Sequence, residues 1–110
     1  MAKEKFLKFQ DVASSANVAG TFYYVAVSDI NYVSTDATSV TILLESGNAG
    51  ATDADAQNDS IVITCSSGDS QKIADKLLHI AGSISNNMIF GPIDKDFIPD
   101  SSISDISPAA

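Results

Sequence analysis

Several stretches of the chain alternate apolar and polar residues with a period of two, the pattern of β-strands with one buried face. Thr21 to Val27 (TFYYVAV) is instead apolar on both faces and rich in β-branched and aromatic residues, which predicts a strand covered on each side. Ser28-Asp29 interrupts this run, so we expect the strand to bend or break before it resumes at Ile30 to Ser34. Ser39 to Glu45 then predicts the second arm of a hairpin, and Ser60 to Ser66 predicts a further strand.

The segments around these strands carry weaker patterns. Lys5 to Phe9 predicts a short strand whose lysines suit the edge of a sheet. Asp11 to Gly20 is rich in Ser, Ala and Asn, which predicts a loop. Ser46 to Asp59 (SGNAGATDADAQND) has no large apolar side chain to anchor it, so we expect an exposed and mobile loop.

A change of period after Gly68 predicts one amphipathic α-helix near residues 70–86. Asp69 or Ser70 is placed to cap its N-terminus. The apolar positions that recur at helical spacing are Ile73, Leu77, Ile80, Ala81 and Ile84.

The rest of the chain divides into an apolar segment and a polar tail. Met88 to Pro99 is too apolar to remain in water, so we expect it to pack on the core or on a neighbouring subunit. Residues 100–110 predict a frayed C-terminal tail. A chain of 110 residues suits one core, which we place in a single β-rich domain over residues 1–99. The predicted fold class is mainly β (α+β): a small, strongly bent antiparallel sheet or open barrel with one amphipathic helix after the strands.

The charge of the chain narrows the range of partners. Fourteen Asp and Glu stand against six Lys, Arg is absent, and the net charge is −8. Arg is the residue that best grips phosphates and guanine edges, so the composition disfavours duplex DNA. No stretch is long and apolar enough to span a membrane, and no apolar region follows the charged N-terminus. We expect a soluble protein, cytoplasmic or virion-associated, without a classical secretion signal.

No combination of residues predicts a catalytic centre, a metal site or a cofactor. His79 is the only histidine and suits a surface or boundary position on the helix. Cys65 lies at an apolar-face position of a strand pattern, which favours buried packing over a nucleophile. Asp53 to Asp59 resembles the opening of a calcium loop, but Asn58 occupies the glycine position and Thr64 the position of the bidentate Glu. We therefore interpret it as a solvated acidic loop.

Two sets of residues remain as candidate binding surfaces. A small basic cluster beside two aromatic rings offers charge and stacking to single-stranded nucleic acid: Lys3, Lys5, Lys8, Phe6 and Phe9. The alternative interpretation of that cluster is an edge strand with solvated lysines. The apolar C-terminal segment offers a self-association surface: Ile89, Phe90, Ile93, Phe97 and Ile98.

The order of segments resembles that of small hypothetical proteins encoded by marine phages and uncultured marine microbes. The resemblance rests on FLKF, on YYVAVSDINYV, and on SIVITCSSGDSQKIADKLLHIAG with the apolar tail that follows. The short bent strands also resemble the small open barrels of the Sm and LSm type, which form rings and bind single-stranded RNA. Two departures stand out: the helix follows the strands here, and the Asp/Asn and Arg-Gly loop motifs are absent.

These observations lead to two main hypotheses. The first is a non-enzymatic structural or interaction subunit that self-associates through sheet edges and the apolar C-terminal segment, with another protein as a further partner. The second is an Sm-like single-stranded RNA-binding protein that forms a ring. An enzyme is the third and weakest hypothesis, because a sequence alone does not show whether any of the acids converge in a cleft.

Overall fold

The fold was examined in a computed structural model that describes residues 4–45, 59–98 and 102–109. Within these ranges one α-helix accompanies a seven-stranded sheet, so the predicted mainly β (α+β) class is confirmed. The strands are β1 (Phe6–Ala13), β2 (Ala16–Ala26), β3 (Ile30–Thr35), β4 (Ser39–Leu44), β5 (Ser60–Thr64), β6 (Ile89–Ile93) and β7 (Asp105–Ala109). The helix is α1 (Ser70–Ser83), and a 3₁₀ turn (Val27–Asp29) joins β2 to β3.

The sheet is open and runs in the order β2-β1-β7-β5-β4-β3. Neighbours along this path are antiparallel, whereas β6 lies off the path and pairs with β1 in parallel. The two end strands, β2 and β3, are consecutive in the chain and are separated only by the 3₁₀ turn Val27–Asp29. The predicted interruption at Ser28-Asp29 is therefore confirmed, and it marks the point where the chain passes from one end of the sheet to the other.

The core lies on one face of the sheet, where α1 packs over β3 and β4. The predicted positions Ile73, Leu77 and Ala81 are buried, and Ile80 and Ile84 pack partly buried against the core. The helix also buries Ala74. Asp69 occupies the N-cap position but makes no side-chain cap hydrogen bond. Ser70 Oγ instead donates to the Asp36 carbonyl oxygen (2.5 Å), which fastens the start of the helix to the turn between β3 and β4. No helix within the described ranges is long and apolar enough to cross a membrane.

The prediction of a loop over Asp11 to Gly20 is wrong. β1 continues to Ala13, and β2 returns from Ala16 after a tight turn at Ser14 and Ser15. Both serines have positive φ (52° and 65°), as a two-residue hairpin turn of the primed type requires. Such turns usually contain Asn-Gly or Asp-Gly, so Ser-Ser gave no turn signal. β1 is also not an edge strand, because β2 lies on one side of it and β6 and β7 lie on the other.

The prediction of a frayed tail over residues 100–110 is also wrong for residues 102–109, the part of the tail that the structure describes. β7 pairs with β5 over five residues and with β1 through Val12 and Ile106. Ile103 and Ile106 are both fully buried, so this segment completes the core. The sequence did not predict this strand because the segment contains Pro108, and proline is normally confined to sheet edges. Here Pro108 faces Ile61 of β5, while the pairing with β1 involves only Ile106, so no ladder bond to β1 depends on the missing N–H.

Of the other strand predictions, two are confirmed and one is wrong in part. The hairpin of β3 and β4 is confirmed, as is the strand that begins at Ser60. β2 contains most of the predicted Thr21 to Val27 strand, but the expectation that it is covered on both sides is wrong, because Tyr24 is 56% exposed at the end of the sheet. The predicted mobile loop over Ser46 to Asp59 falls almost entirely outside the described residues.

Candidate interaction surface

Three neighbouring strands, β2, β1 and β6, present a mixed apolar and aromatic surface on the side opposite the core. Leu7 and Phe9 of β1 are buried, so the residues that alternate with them face outward. The register places Phe6 next to Ile89, Lys8 opposite Tyr24, and Gln10 opposite Phe22. We refer to this surface as the outer face, and its residues are Phe6, Lys8, Gln10, Phe22, Tyr24 and Ile89. It contains no carboxylate, on a chain with fourteen Asp and Glu.

Lys8 lies between two aromatic rings of β2. Its Nζ is 4.3 Å from the centroid of the Phe22 ring and 5.5 Å from that of Tyr24. Both distances fall within the range of cation–π attraction, which holds the ammonium against the outer face. Sequence reasoning identified Lys8 but not Phe22 or Tyr24, because the partners of a strand residue depend on a register that the sequence did not fix.

The predicted nucleic-acid cluster is only partly assembled. Phe6 is half-buried on the outer face beside Lys8. Lys5 is half-buried and its Nζ donates to the Ala81 carbonyl oxygen at 3.5 Å, which directs it toward the end of α1. Phe9 is fully buried, so its predicted role in base stacking is wrong. Its aromatic character serves the core instead. Lys3 lies outside the described residues.

The residues predicted for self-association likewise differ in burial, and most of them are not on the surface. Ile93, Phe97 and Ile98 are 0%, 6% and 6% exposed, so the prediction that they form a docking surface is wrong. They pack in the core of their own chain, which explains why this segment is so apolar. Phe90 is half-buried against the same core. Ile89 is 56% exposed and belongs to the outer face.

Gly91 allows β6 to lie against β1 at Lys8. A Cβ atom at this position would be 2.4 Å from the Lys8 carbonyl oxygen and 2.8 Å from the Lys8 Cβ. Its φ of +150° is also a conformation that residues with a side chain rarely adopt. Glycine at position 91 is therefore what lets Ile89 join Phe6 on the same surface.

The end strands β2 and β3 lack two of the usual protections of sheet edges, charge and proline, although each has an irregular register, at Gln10/Val12 in the pairing with β2 and at Ile30/Tyr32 in β3. Natural edge strands carry charges, prolines or bulges that prevent pairing with other chains. β2 (ANVAGTFYYVA) and β3 (INYVST) contain neither a charged residue nor a proline, whereas β6, which pairs only with β1 among the described strands, contains Pro92. Each end strand presents one strongly exposed aromatic side chain, Tyr24 at 56% and Tyr32 at 55%. Outside these irregularities, the two edges carry no charge or proline that would oppose pairing with another strand.

Cys65, His79 and Tyr23 are further side chains whose chemistry could bear on function. Cys65 is buried as predicted; burial, with help from the charges of Asp69 and Asp36, raises the pKa of its thiol. His79 is exposed on α1, in the kind of position predicted. Tyr23 donates to Asp11 Oδ2 (2.8 Å), and its partial burial together with this carboxylate raises the pKa of Tyr23 to about 12. Within the described residues no group of three or more His, Cys, Asp or Glu is arranged to hold a metal ion.

No protein-family model, no curated protein and no solved structure matches this chain. The features of the molecule that bear on its function are therefore the outer face and the two end strands.

Proposed function

We propose that this protein is a non-enzymatic structural subunit whose copies associate through the end strands β2 and β3. The observation that carries the proposal is that both ends of the open sheet are exposed strands without charge or proline. Such edges offer rows of backbone N–H and C=O groups to a further strand. This role agrees with the resemblance to small marine-phage proteins and with a place in the cytoplasm or in a virion.

The charge of the chain favours these edges over the rest of the surface. Two copies with a net charge of −8 each repel one another, most strongly where carboxylates face carboxylates. Pairing through β2 and β3 brings none of the charged side chains into direct opposition within the ladder. Backbone hydrogen bonds and aromatic contacts then stabilise the contact without charged side chains facing one another in the ladder.

The outer face extends the contact beyond the edge itself. Phe22 and Tyr24 belong both to β2 and to the outer face, so a strand that pairs with β2 lies beside their rings. A strand in this position would bury part of the exposed Tyr24 side chain. The outer face, and not the buried C-terminal residues, therefore supplies the apolar part of the association surface.

Native mass spectrometry of the full chain and of three Lys variants tests the proposal. We expect the unchanged chain to be an oligomer, and Tyr24→Lys and Tyr32→Lys to lower the oligomeric state, because lysine on an edge strand opposes pairing. Leu78→Lys is the matched control, since Leu78 is 52% exposed but lies on α1. The proposal is overturned if the unchanged chain is a monomer, or if all three variants behave alike.

A second function, single-stranded RNA binding by a small Sm-like barrel, is favoured by one observation. Lys8 with Phe22 and Tyr24 combines a cation with two aromatic rings, and none of the six residues that define the outer face is a carboxylate. Stacking of bases on such rings contributes roughly 1–3 kcal/mol per base. The overall charge of −8 and the single lysine of the outer face weigh against tight binding, which is why we rank this function second.

Fluorescence anisotropy with a labelled uridine-rich oligonucleotide tests this second function. Binding that uses the outer face should weaken as salt rises and should fall in Lys8→Gln. Lys72→Gln is the control, because the Lys72 side chain is 73% exposed on α1 and pairs with Asp69 at 3.4 Å. Absence of binding at low salt, or an equal loss in both variants, would exclude the outer face as an RNA site.

A further inference from the structure

We infer that the outer face binds neutral oligosaccharides built of pyranose rings. This activity goes beyond the proposed association of copies, because it uses side chains that project out of the plane of the sheet and not the backbone groups of an edge. The ligand class follows from the combination of aromatic rings, hydrogen-bonding groups and charge on this face.

The aromatic side chains of the outer face offer a ligand a flat apolar surface. Phe22 and Tyr24 project to the same side of β2, because they lie two residues apart on one strand. Phe6 of β1 lies next to Ile89 of β6 and extends this surface. Tyr24 is 56% exposed and Phe6 is half-buried, so the rings are anchored in the sheet and still reachable from solvent. The apolar C–H side of a pyranose ring can lie on such a surface.

Lys8 and Gln10 place hydrogen-bonding groups beside these rings. The contacts of Lys8 Nζ among the described residues are the rings of Phe22 and Tyr24, at 4.3 and 5.5 Å, and it forms no ion pair there. Cation–π attraction therefore holds the ammonium in place and leaves N–H donors for a ligand oxygen. Gln10 projects to the same side of β1, and its amide, which donates to the Val18 carbonyl oxygen at 3.4 Å, adds an acceptor. Sugar hydroxyls can use both groups, since they donate and accept.

The charge of the chain selects a neutral ligand. A net charge of −8 opposes nucleic acids and other polyanions, and the single lysine of the outer face does not offset it. None of the six residues of the face is a carboxylate that could pair with a cationic ligand. Asp11, the carboxylate nearest along β1, accepts from Tyr23 Oη at 2.8 Å. Tyr23 alternates with the two rings of β2, so it belongs to the opposite side of the sheet.

A purely apolar ligand fits the outer face less well than a sugar. It would displace water from Lys8 and Gln10 without replacing the hydrogen bonds of that water. A pyranose ring supplies an apolar side for the rings and hydroxyls for the two polar groups. It also carries no charge for the acidic chain to repel.

Isothermal titration calorimetry of the full chain with cellohexaose, maltohexaose and N-acetylchitohexaose tests the inference, and a uridine-rich RNA oligonucleotide is titrated for comparison. Tyr24→Ala removes the most exposed ring, and Lys8→Met removes the donors but keeps an apolar stem. Tyr32→Ala is the matched control, because Tyr32 is 55% exposed on β3, which pairs with β4 and not with the strands of the outer face. Both tyrosines lie on end strands, so a loss caused by dissociation of copies would appear in both variants. Circular dichroism checks the fold of each variant.

We expect at least one hexasaccharide to bind, with an affinity that falls roughly tenfold in Tyr24→Ala and is unchanged in Tyr32→Ala. Lys8→Met should also weaken binding, because ligand hydroxyls lose their donor. Binding of none of the three sugars, equal losses in the two tyrosine variants, or binding of RNA without binding of any sugar overturns the inference. If Tyr24→Ala does not fold, Lys8→Met against Lys72→Met gives the corresponding comparison, since the Lys72 side chain is 73% exposed on α1. A chain that is a monomer and still binds sugar would contradict the proposed association and leave this inference standing.

Discussion

Replacement of Gly91 by Ala tests the contact that positions β6 and the outer face. The new Cβ would lie 2.4 Å from the Lys8 carbonyl oxygen, 2.8 Å from the Lys8 Cβ and 3.2 Å from the Lys8 carbonyl carbon. Since comfortable separations begin near 3.5 Å, the two strands would have to move apart by about 1 Å. The clash involves backbone of both strands, so no side-chain rotation relieves it.

The expected loss of stability follows from two effects. Overpacking of this kind typically costs about 1–3 kcal/mol, and a side chain held at the φ of +150° adds strain on the order of 1–3 kcal/mol. Together they predict that Gly91→Ala lowers the free energy of unfolding by about 2–6 kcal/mol, because β6 can relieve the clash only by giving up its packing at Phe90 and Ile93.

Urea unfolding at equilibrium measures this loss, with Gly82→Ala as the matched control. A Cβ at Gly82 meets nothing within 4 Å. Gly82 lies in α1, where alanine is favoured over glycine by about 0.5–1 kcal/mol, so the control should be neutral or stabilising. If Gly91→Ala changes the free energy of unfolding by less than about 0.5 kcal/mol, the close approach of β6 to Lys8 is not as described here.

Three further predictions concern the core and its titratable groups. Ile106→Ala should destabilise the fold by about 2–5 kcal/mol in urea, because Ile106 is fully buried in β7; a frayed tail would give no loss. Cys65 should react with a thiol reagent much more slowly in the folded chain than in urea, because burial excludes the reagent and raises the thiol pKa; equal rates would contradict its burial. The raised pKa of Tyr23 means that its stabilising effect is full below the unfolded value of 10.0 and is lost as pH rises toward about 12. Absorbance titration of tyrosinate should show a component near 12 that Tyr23→Phe removes.

The sequence predicted those elements in which apolar and polar residues recur with a regular period within the element itself. β4 and α1 each show a clean period because one face is buried, so the pattern alone identifies them. β7 was missed because its burial depends on β5, which lies about forty residues earlier in the chain. Its five residues (DISPA) have one large apolar side chain and a proline, too little for a local signal.

The same distinction explains what could be predicted of the candidate site. Lys8 stood out because charge near aromatic residues is visible in the sequence. Its actual partners, Phe22 and Tyr24, lie on another strand, and a shift of one residue in register would have turned them toward the core. The unprotected edges were equally hidden, since a strand without charge reads as an interior strand until the sheet order is known.

The two functional proposals involve groups that point in different directions from β2, so an experiment can distinguish them. Edge pairing at β2 engages backbone groups that point along the plane of the sheet, whereas the rings beside Lys8 project out of that plane. Tyr32 lies on β3, which pairs with β4 and not with β1 or β2, and it belongs only to the edge contact. Tyr32→Lys should therefore reduce association without loss of RNA affinity, and Lys8→Gln should do the reverse. A variant that impaired association and RNA affinity equally would mean that a single surface serves both functions. That result would contradict the distinction between edge contact and outer face.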